Sequence, residues 1–382
     1  DWLKDYIEKG ELDGVPHHNA KAWKSHVIGQ CKSWIDGGLQ SRAMTRDLKW
    51  GVPVPVEGAE GKVLYVWLDA PIGYITSTME WAEKNGEDWR DWWQSPYTEL
   101  LHFIGKDNIV FHCIIFPILL REHGEYILPH QIPANEFMNL EGDKISTSRN
   151  WAVWVKEYCG DNPDGSDVMR YVLASIMPEQ RDSEFTWTDF RDRVNNELAD
   201  VLGNFVNRVL VLTRKYYNGV VPNAPSDDAL SEVDKKVLAS LSEAPSKIAE
   251  LIERHRYREA QLEAMNVARL GNKYLTEEEP WKRMKTNPER VETIMQITAQ
   301  VVGNLAILLE PFLPRTAAKL SKAMGLIGKK WTDASTGIVV GGTKLGELSI
   351  LFAKIDDKFV EEQVAKLGNK SSKTNPNIMP QK

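Results

Sequence analysis

The sequence predicts an α/β fold in which a doubly wound parallel sheet is followed by an all-helical bundle. In the first half, strand and helix patterns alternate, which is typical of such sheets. The apolar run VLYVWL at residues 63–68 predicts a buried strand, and residues 72–85 and 88–94 predict helices. Residues 101–122 then predict a strand, a polar turn and an apolar helix. From Val168 onward strand patterns nearly vanish and long helical patterns take over, so a helix bundle is expected there.

The amino-terminal region and the predicted bundle contain further local patterns that indicate helices. Residues 1–40 predict helices, because apolar residues recur at helical spacing and a second amphipathic run ends at two glycines. Ser231 predicts a helix N-cap, and the preceding VVPNAPSDD at residues 220–228 predicts a linker within the bundle. An apolar face from Val291 to Leu309 predicts one long helix.

Composition limits the classes of protein to consider. The chain has 382 residues, of which 42% are hydrophobic and 26% charged, which favours two or three domains. No apolar run approaches the roughly 20 residues that a membrane span needs, so a membrane role is not expected. No secretory signal is visible and the three cysteines form no C-x-x-C pair, which together predict a reducing, cytoplasmic setting. The chain begins with Asp rather than Met, which suggests a truncated or cleaved product. The net charge of −7 does not exclude nucleic acid, since a local basic face suffices.

The segment NLEGDKISTSRN at residues 139–150 is the most specific in the chain. It places Lys144, Ser146, Thr147 and Arg149 within a few residues of each other. Such a loop offers backbone N–H groups, hydroxyls and cations to a phosphate chain. Taken alone, the same composition is also typical of a solvated turn.

Several motifs together resemble one family. KISTS resembles the KMSKS signature of class I aminoacyl-tRNA synthetases. VWLDAPIGYITST at residues 66–78, followed by FIGKDNIVFHCIIFP at residues 103–117, resembles the core of methionyl-tRNA synthetases. SRAMTRDLKWGVPVP at residues 41–55 is similar to the family's strand-entry motif, and EEEPW at residues 277–281 is similar to its anticodon helix. The resemblance covers nearly the whole chain.

This resemblance implies a fold and a division into domains. The expected fold is the second half of a Rossmann-like doubly wound parallel sheet followed by an all-α anticodon-binding helix bundle. The implied divisions are 1–40 for the end of a helical connective insertion, 41–150 for the second half of the catalytic domain with the KISTS loop, 151–190 for a stem-contact junction, 191–365 for the anticodon-binding domain, and 366–382 for a tail or linker. The family's HIGH motif has no counterpart in this sequence. The first half of the catalytic fold is therefore expected to precede Asp1, and the chain alone is expected to be inactive.

The resemblance also implies a methionine pocket. The matching residues are Trp67, Ala70, Pro71, Tyr74, Phe111, His112 and Phe116. Aromatic rings suit a thioether, which is polarizable and uncharged. Phe116 stands where the family's bacterial members commonly place a Trp, so the back wall of the pocket is expected to differ. Without the resemblance, Trp67 and Tyr74 would be read as ordinary core residues.

For ATP, the resemblance implies two groups of residues. Gly105 and Asp107 belong to a Gly-Lys-Asp turn at the carboxyl end of a strand, where Asp107 would accept hydrogen bonds from the ribose. Lys144 and Thr147 of the KISTS loop would contact the phosphates, and with Ser146 and Arg149 they form the implied catalytic set. Thr147 stands where the family's second lysine usually sits, a contact worth roughly 2 to 4 kcal/mol. Lys144 and Arg149 are the cations available to compensate.

The implied anticodon readers are Asn204, Arg208 and Trp281. Asn204 and Arg208 are four residues apart and so project from one helix face, and Trp281 follows Pro280 at a helix start. A tryptophan can stack on a splayed base while amide and guanidinium groups bind its edge. The alternative is an ordinary solvated pair on a helix surface.

The implied reaction is the ATP-dependent activation of L-methionine to methionyl-adenylate and its transfer to the 3′ end of tRNA(Met). The implied partners are ATP with Mg²⁺, methionine, tRNA(Met), the amino-terminal half and, through a missing carboxy-terminal domain, a second copy. No metal site is predicted in this chain, and zinc is expected only in the absent amino-terminal insertion, if at all. Two alternatives stay open: a non-catalytic tRNA-binding module, and a class I synthetase of another aliphatic specificity.

Overall fold

The computed structural model describes residues 1–161 and 164–369 and divides into two compact units. The first unit contains Asp1–Phe137 and the short return Pro178–Asp182, and the second contains Met138–Met177 and the chain from Ser183 onward. The sequence predicts a domain boundary after residue 150. In the structure, the strand that precedes the KISTS loop pairs with a strand at Ser183–Phe185, and this pairing places the loop in the second unit.

The first unit alternates short strands with helices. Its elements are α1 (Trp2–Lys9), β1 (Glu11–Leu12), β2 (Val15–Pro16), α2 (Ser25–Asp36), β3 (Thr45–Arg46), β4 (Val63–Leu64), α3 (Val66–Asp69), α4 (Ile72–Asn85), α5 (Arg90–Trp93), β5 (Leu100–Leu101), β6 (Ile104–Gly105), a π-helix (Phe111–Ile115), α6 (Phe116–His123), β7 (Pro129–Gln131) and β8 (Ala134–Asn135).

Parallel strand pairs connected by a helix confirm the predicted α/β class. Strand β5 pairs in parallel with β7, and β6 pairs in parallel with β8. The π-helix and α6 lie between the members of each pair along the chain, which is the connection that parallel strands require. Helix α4 has the predicted bounds, and the predicted amino-terminal helices are present as α1 and α2, separated by the β1–β2 hairpin.

The predicted strand VLYVWL is wrong beyond its first two residues. Val63 and Leu64 pair with β3, but the chain then forms the helical turn α3, closed by the Ala70 N–H donating to the Val66 carbonyl at 2.8 Å. A short apolar run is compatible with either a buried strand or a buried helix, so periodicity alone does not decide between them. Here β3 offers only two residues for pairing, and the next N–H, that of Tyr65, donates to the Met44 carbonyl at 2.8 Å before the chain turns into α3.

The second unit is a helix bundle with one small sheet. Its elements are β9 (Met138–Leu140), β10 (Asp143–Lys144), α7 (Val155–Asp161), α8 (Gly165–Ser175), β11 (Ser183–Phe185), α9 (Trp187–Arg193), a π-helix (Val194–Gly203), α10 (Asn204–Tyr217), α11 (Glu232–Glu253), α12 (Tyr257–Glu278), α13 (Pro280–Arg283), α14 (Pro288–Leu308), α15 (Pro314–Ala323) and α16 (Asp357–Ala365). The sheet has the order β10-β9-β11.

Helix α14 forms the centre of the bundle. Nearly every residue from Val291 to Leu308 is buried, and α14 packs against α10, α11, α12, α13 and α15. By length and composition alone this helix could cross a membrane, yet 94% of its apolar stretch is buried inside the protein. It therefore has the position of a core helix, and the predicted long apolar helix is confirmed.

A buried carboxylate ties three helices of the bundle together. The side chain of Asp234 on α11 is fully buried and accepts hydrogen bonds from Tyr274 Oη of α12 at 2.6 Å and from the Arg290 guanidinium of α14 at 2.8 Å. It also accepts from the Ser231 backbone N–H at 2.9 Å, and this completes the predicted N-cap as a capping box. Burial would raise the pKa of Asp234, but the hydrogen bonds from Arg290 and Tyr274 outweigh it and lower the pKa to about 2.

Replacement of Asp234 should destabilise the bundle. We expect Asp234→Ala to lower the free energy of unfolding of the second unit by about 3–5 kcal/mol, because Arg290 loses one of its two carboxylate partners and the buried Tyr274 hydroxyl loses its acceptor. Urea unfolding followed by circular dichroism measures this change. The matched control is Glu232→Ala, whose exposed carboxylate pairs with Lys235 at 3.0 Å and should cost under about 1 kcal/mol. Equal losses for the two variants would contradict the central role of Asp234.

Candidate functional site

Tyr74 and His112 form a polar pair inside an aromatic cluster of the first unit. Tyr74 lies in the first turn of α4, which begins directly after Pro71, and His112 lies on the Phe111–Ile115 π-helix. The Asn108 carbonyl accepts a hydrogen bond from His112 Nδ1 at 3.0 Å, so Nε2 is the nitrogen that accepts from the Tyr74 hydroxyl, also at 3.0 Å. Burial lowers the pKa of His112, which favours the neutral ring that this arrangement needs.

The other residues predicted for the pocket surround this pair to different degrees. The Trp67 and Phe111 rings lie 5.4 Å apart, and the Tyr74 and Phe116 rings lie 6.3 Å apart. Phe116 is fully buried, whereas Trp67 is 48% exposed and Tyr74 47% exposed. Ordinary core packing therefore does not describe Trp67 and Tyr74. Ala70 is exposed and Pro71 buried at the turn between α3 and α4.

A cavity of about 340 Å³ adjoins the cluster and includes a residue that the sequence analysis missed. Its lining contains Tyr74, Thr78, Trp93 and His102. The His102 ring stacks on Phe116 at 5.7 Å, and neither of its nitrogens has a hydrogen-bond partner within the described residues. Burial, with the neighbouring imidazole of His112, lowers the pKa of His102 to about 4. In the sequence, His102 could have been recognised as a candidate only because it is a histidine within the apolar run of residues 101–104.

The Gly-Lys-Asp turn lies at the carboxyl end of β6, as predicted. A Cβ atom on Gly105 would lie 2.8 Å from Asp107 Oδ1, so the absence of a side chain at Gly105 leaves room for that carboxylate. Asp107 is exposed. Lys106 instead binds the first unit itself, since its Nζ lies 2.7 Å from Asp182 and 2.5 Å from Glu136. These two carboxylates raise the pKa of Lys106.

The KISTS loop, which we call the signature loop (residues 143–150), is a hairpin in the second unit. Ser146 and Trp151 exchange two backbone hydrogen bonds of 2.9 Å, and a tight turn connects them. The Trp151 indole donates to the Leu140 carbonyl at 2.7 Å and anchors the base of the hairpin in the core. Lys144 and Thr147 are exposed on the loop. The structure therefore presents one cation and one hydroxyl of the predicted set to solvent.

Arg149 has a different position from the other predicted catalytic residues. Its guanidinium donates to the Asp143 carboxylate at 3.1 Å and to the Lys144 carbonyl at 2.9 Å, which closes the loop on itself. The Ser146 and Ser148 hydroxyls form a hydrogen bond of 3.2 Å across the same turn. Arg149 thus braces the loop in this structure, and its charge is already engaged by Asp143.

Two of the predicted anticodon readers, Asn204 and Arg208, lie in α10 just after the Val194–Gly203 π-helix, and the third, Trp281, lies on α13. The Arg208 guanidinium carbon lies 5.2 Å from the centre of the Trp281 ring, a cation–π distance. Arg208 also donates to Thr276 Oγ1 at 3.3 Å, while Asn204 donates to Asp200 Oδ1 at 3.3 Å. Trp281 is 38% exposed in the first turn of α13. The structure brings Arg208 to Trp281 and leaves Asn204 one turn away, so Asn204 and Arg208 are not simply paired with each other.

An α/β unit followed by a helical unit that carries the signature loop and an exposed tryptophan is the arrangement of a class I tRNA synthetase. Residues 2–210 match the family described as "tRNA synthetases class I (M)", and the chain belongs to this family. Residues 224–372 match a second family, described as "Anticodon binding domain of methionyl tRNA ligase". The two matches together leave only short segments of the chain uncovered.

Similar proteins agree with these matches. The methionine-tRNA ligase of Christiangramia forsetii is 56% identical over 375 residues, which are 96% of this chain and 53% of that protein. The enzyme of the same name from Flavobacterium johnsoniae is 53% identical over 396 residues, covering 96% of this chain and 55% of that protein. The chain therefore spans about half the length of the curated relatives that it matches.

Solved structures show the same fold. Free Mycobacterium tuberculosis methionyl-tRNA synthetase superposes with a TM-score of 0.75 and 26% identity, covering 93% of this chain and 68% of that chain. The complex of that synthetase with methionyl-adenylate gives a TM-score of 0.75 and 26% identity, covering 92% and 67%. The Rossmann-like α/β fold followed by a helix bundle, predicted from the sequence, is confirmed.

Proposed function

We propose that this chain supplies the methionine pocket, the nucleotide-binding loop and the anticodon-reading helices of a methionine-tRNA ligase. The observation that carries the proposal is the hydrogen-bonded pair of Tyr74 and His112, held beside buried Phe116 and half-exposed Trp67. A ligand that binds beside these four residues contacts aromatic rings, the Tyr74 hydroxyl and the neutral His112 imidazole. None of the four side chains carries a charge. This environment suits a thioether and disfavours a charged amino-acid side chain.

The proposed first step joins methionine to ATP. A carboxylate oxygen of methionine attacks the α-phosphorus, the bond to the β-phosphate oxygen breaks, and pyrophosphate leaves. Gly105 and Asp107 would bind the ribose hydroxyls. Lys144 and Thr147 would contact the phosphates, with Ser146 and Arg149 shaping the loop.

Magnesium would accompany ATP in this step. Across residues 1–161 and 164–369, no three His, Cys, Asp or Glu side chains cluster in a way that could hold a metal ion. Mg²⁺ commonly keeps several waters and binds substrate phosphates with only one or two carboxylates. The phosphate oxygens of ATP would therefore supply its main ligands.

The proposed second step transfers the methionyl group to tRNA(Met). A hydroxyl of the 3′-terminal ribose attacks the carbonyl carbon of the adenylate, and AMP leaves. The helical unit would select the tRNA, with a base stacking on Trp281 while Arg208 and Asn204 bind its edge. We further propose a cytoplasmic enzyme whose partners are its own amino-terminal half and a second copy joined through a carboxy-terminal domain.

One alternative draws on a specific observation. Thr147 replaces the second lysine of the signature, so a tRNA-binding module without catalysis is the second candidate. A class I synthetase for another aliphatic amino acid is disfavoured, because those relatives are not expected to combine the APIGY and FH motifs. The methionine-tRNA ligase and the tRNA-binding module make opposite predictions for adenylate formation.

Methionine-dependent exchange of pyrophosphate with ATP tests the main proposal. We expect no exchange from this chain alone and clear exchange when the presumed amino-terminal half is added. Exchange supported by another amino acid would reassign the substrate. Folded protein that binds tRNA(Met) but supports no exchange in either setting would favour the binding module.

The Tyr74 hydroxyl should contribute to methionine affinity. We expect Tyr74→Phe to raise the methionine KM about tenfold with little change in kcat. The substitution removes the hydrogen bond to His112 Nε2, beside the proposed position of the methionine side chain. Pyrophosphate exchange with the added amino-terminal half measures both constants. Tyr97→Phe is the matched control, because Tyr97 is 95% exposed. An unchanged KM in Tyr74→Phe would count against this pocket.

The Trp281 ring should contribute to RNA binding. We expect Trp281→Ala to weaken tRNA(Met) binding about 5- to 150-fold, the range that corresponds to roughly 1–3 kcal/mol for one base stacked on an aromatic ring. Fluorescence anisotropy with labelled tRNA measures the change. Trp92→Ala removes a comparably exposed tryptophan from the first unit and should leave binding unchanged. Equal affinities for wild type and Trp281→Ala would exclude this surface as the anticodon reader.

A further inference from the structure

The last described residues of the chain lie against the signature loop. Gly368 N–H donates to the Asn150 carbonyl at 2.8 Å, and Asn369 N–H donates to the Arg149 carbonyl at 3.3 Å. In return, Arg149 donates to the Asn369 carbonyl at 2.9 Å, and Asn150 Nδ2 donates to the Lys366 carbonyl at 3.3 Å. Four hydrogen bonds between segments more than 200 residues apart form one continuous contact. We call residues 366–369 the clamp segment.

The contact depends on a glycine. A Cβ atom on Gly368 would lie 2.0 Å from the Arg149 carbonyl oxygen and 3.0 Å from Asn150 Cβ, and real Cβ atoms do not approach a backbone oxygen so closely. The φ angle of Gly368 is not in the left-handed region, so the requirement is for space and not for backbone freedom. Any side chain at this position must push the clamp segment away from the loop.

The clamp segment is itself held in place by the bundle. It follows α16 directly, and the Phe359 ring of α16 packs on the buried rings of Trp187 at 5.9 Å and Phe190 at 6.4 Å. Just before α16, the Asn195 amide exchanges two hydrogen bonds of 2.8 Å with the Ile355 backbone. The residues that precede the clamp segment are therefore held in place by packing and hydrogen bonds within the second unit.

The clamp reaches the loop through Arg149, which also organises its interior. The same guanidinium that binds the Asn369 carbonyl binds Asp143 and the Lys144 carbonyl. Without the clamp segment, the Arg149 guanidinium would lose its bond to the Asn369 carbonyl. The Arg149 and Asn150 carbonyls would lose the N–H donors of Asn369 and Gly368. The turn presents Lys144 and Thr147, so their positions depend on contacts made from residues 366–369.

We propose that residues 366–369 are a positioning segment that holds the signature loop in the shape needed for the ATP step, with Gly368 as the residue on which the contact depends. This role rests on the proposed function, because the loop is taken to bind the phosphates of ATP. None of the clamp residues touches a reacting atom. They act through Arg149 and Asn150.

The test compares Gly368→Ala with a second disrupting variant and with a control. Asn150→Gly keeps the left-handed backbone at residue 150, where φ is 54°, but removes the side-chain bonds to the Lys366 carbonyl and to the Trp154 indole. Gly337→Ala is the control, since no atom lies within 4 Å of a Cβ built there and Gly337 is exposed in the same unit. Each full chain is measured by amide hydrogen exchange over residues 143–151 and, with the amino-terminal half added, by pyrophosphate exchange.

The expected result has a structural and a kinetic part. In Gly368→Ala, the Ser146 and Trp151 amides should exchange about tenfold faster, and kcat for pyrophosphate exchange should fall about tenfold, as loss of roughly one to two net hydrogen bonds implies. The methionine KM should stay unchanged, and amide exchange outside residues 143–151 should not become faster, which a general loss of folding would not allow. Asn150→Gly should move both readouts in the same direction by less, and Gly337→Ala should move neither.

Two results for Gly368→Ala would overturn the proposal. One is unaltered exchange of the loop amides in Gly368→Ala, and the other is faster loop exchange without any change in kcat. If the wild type is active only with a different amino acid, the proposed substrate fails, yet the same comparison made with that amino acid still decides the role of the clamp. A wild type that supports exchange with no amino acid would overturn both the proposed function and the positioning role.

Discussion

The helical unit depends most on the buried carboxylate of Asp234. One unpaired charge there would be costly, so Tyr274 and Arg290 must stay within hydrogen-bond distance, and α11, α12 and α14 are fixed relative to one another. Arg290 also binds Glu278 at the end of α12 at 2.9 Å. The next residue, Glu279, has a left-handed φ of 42° and turns the chain into α13. The orientation of the helical turn that carries Trp281 therefore depends on this network.

The candidate methionine pocket and the candidate anticodon surface each lie on or beside a π-helix. The Phe111–Ile115 π-helix carries His112, and the Val194–Gly203 π-helix leads directly into Asn204 and Arg208. A π-helical turn holds one more residue per hydrogen bond than an α-turn, so it changes which side chains share a face with the helix that follows. At the second of these helices, Asn272 Nδ2 donates to the Val201 carbonyl at 2.7 Å and supports the irregular backbone from α12. Neighbouring helices thus stabilise a geometry that regular helical spacing would not produce.

Local rules account for the parts of the fold that the sequence predicted well. Helix α4 has its predicted bounds because Pro71 favours a helix start and Gly86 adopts the left-handed conformation that ends one. Ser231 caps α11 because its hydroxyl and the Asp234 carboxylate satisfy backbone N–H groups at the helix start. The motifs placed Tyr74, His112, Arg208 and Trp281 among the candidate residues. By contrast, VLYVWL fits two structures equally well by pattern, and only its pairing partners decided between them.

The sequence by itself determined the α/β class, the helix bundle and the resemblance to methionyl-tRNA synthetases, because helix periodicity, capping residues and short motifs are properties of neighbouring residues. The tertiary structure alone decided that His102 lies beside Tyr74 with no hydrogen-bond partner among the residues that the structure describes, and that Lys106 binds Asp182. It also decided that Gly368 lies against Arg149. Each of these contacts joins residues that are distant along the chain. Their distances are fixed by packing of whole elements, which no local pattern records.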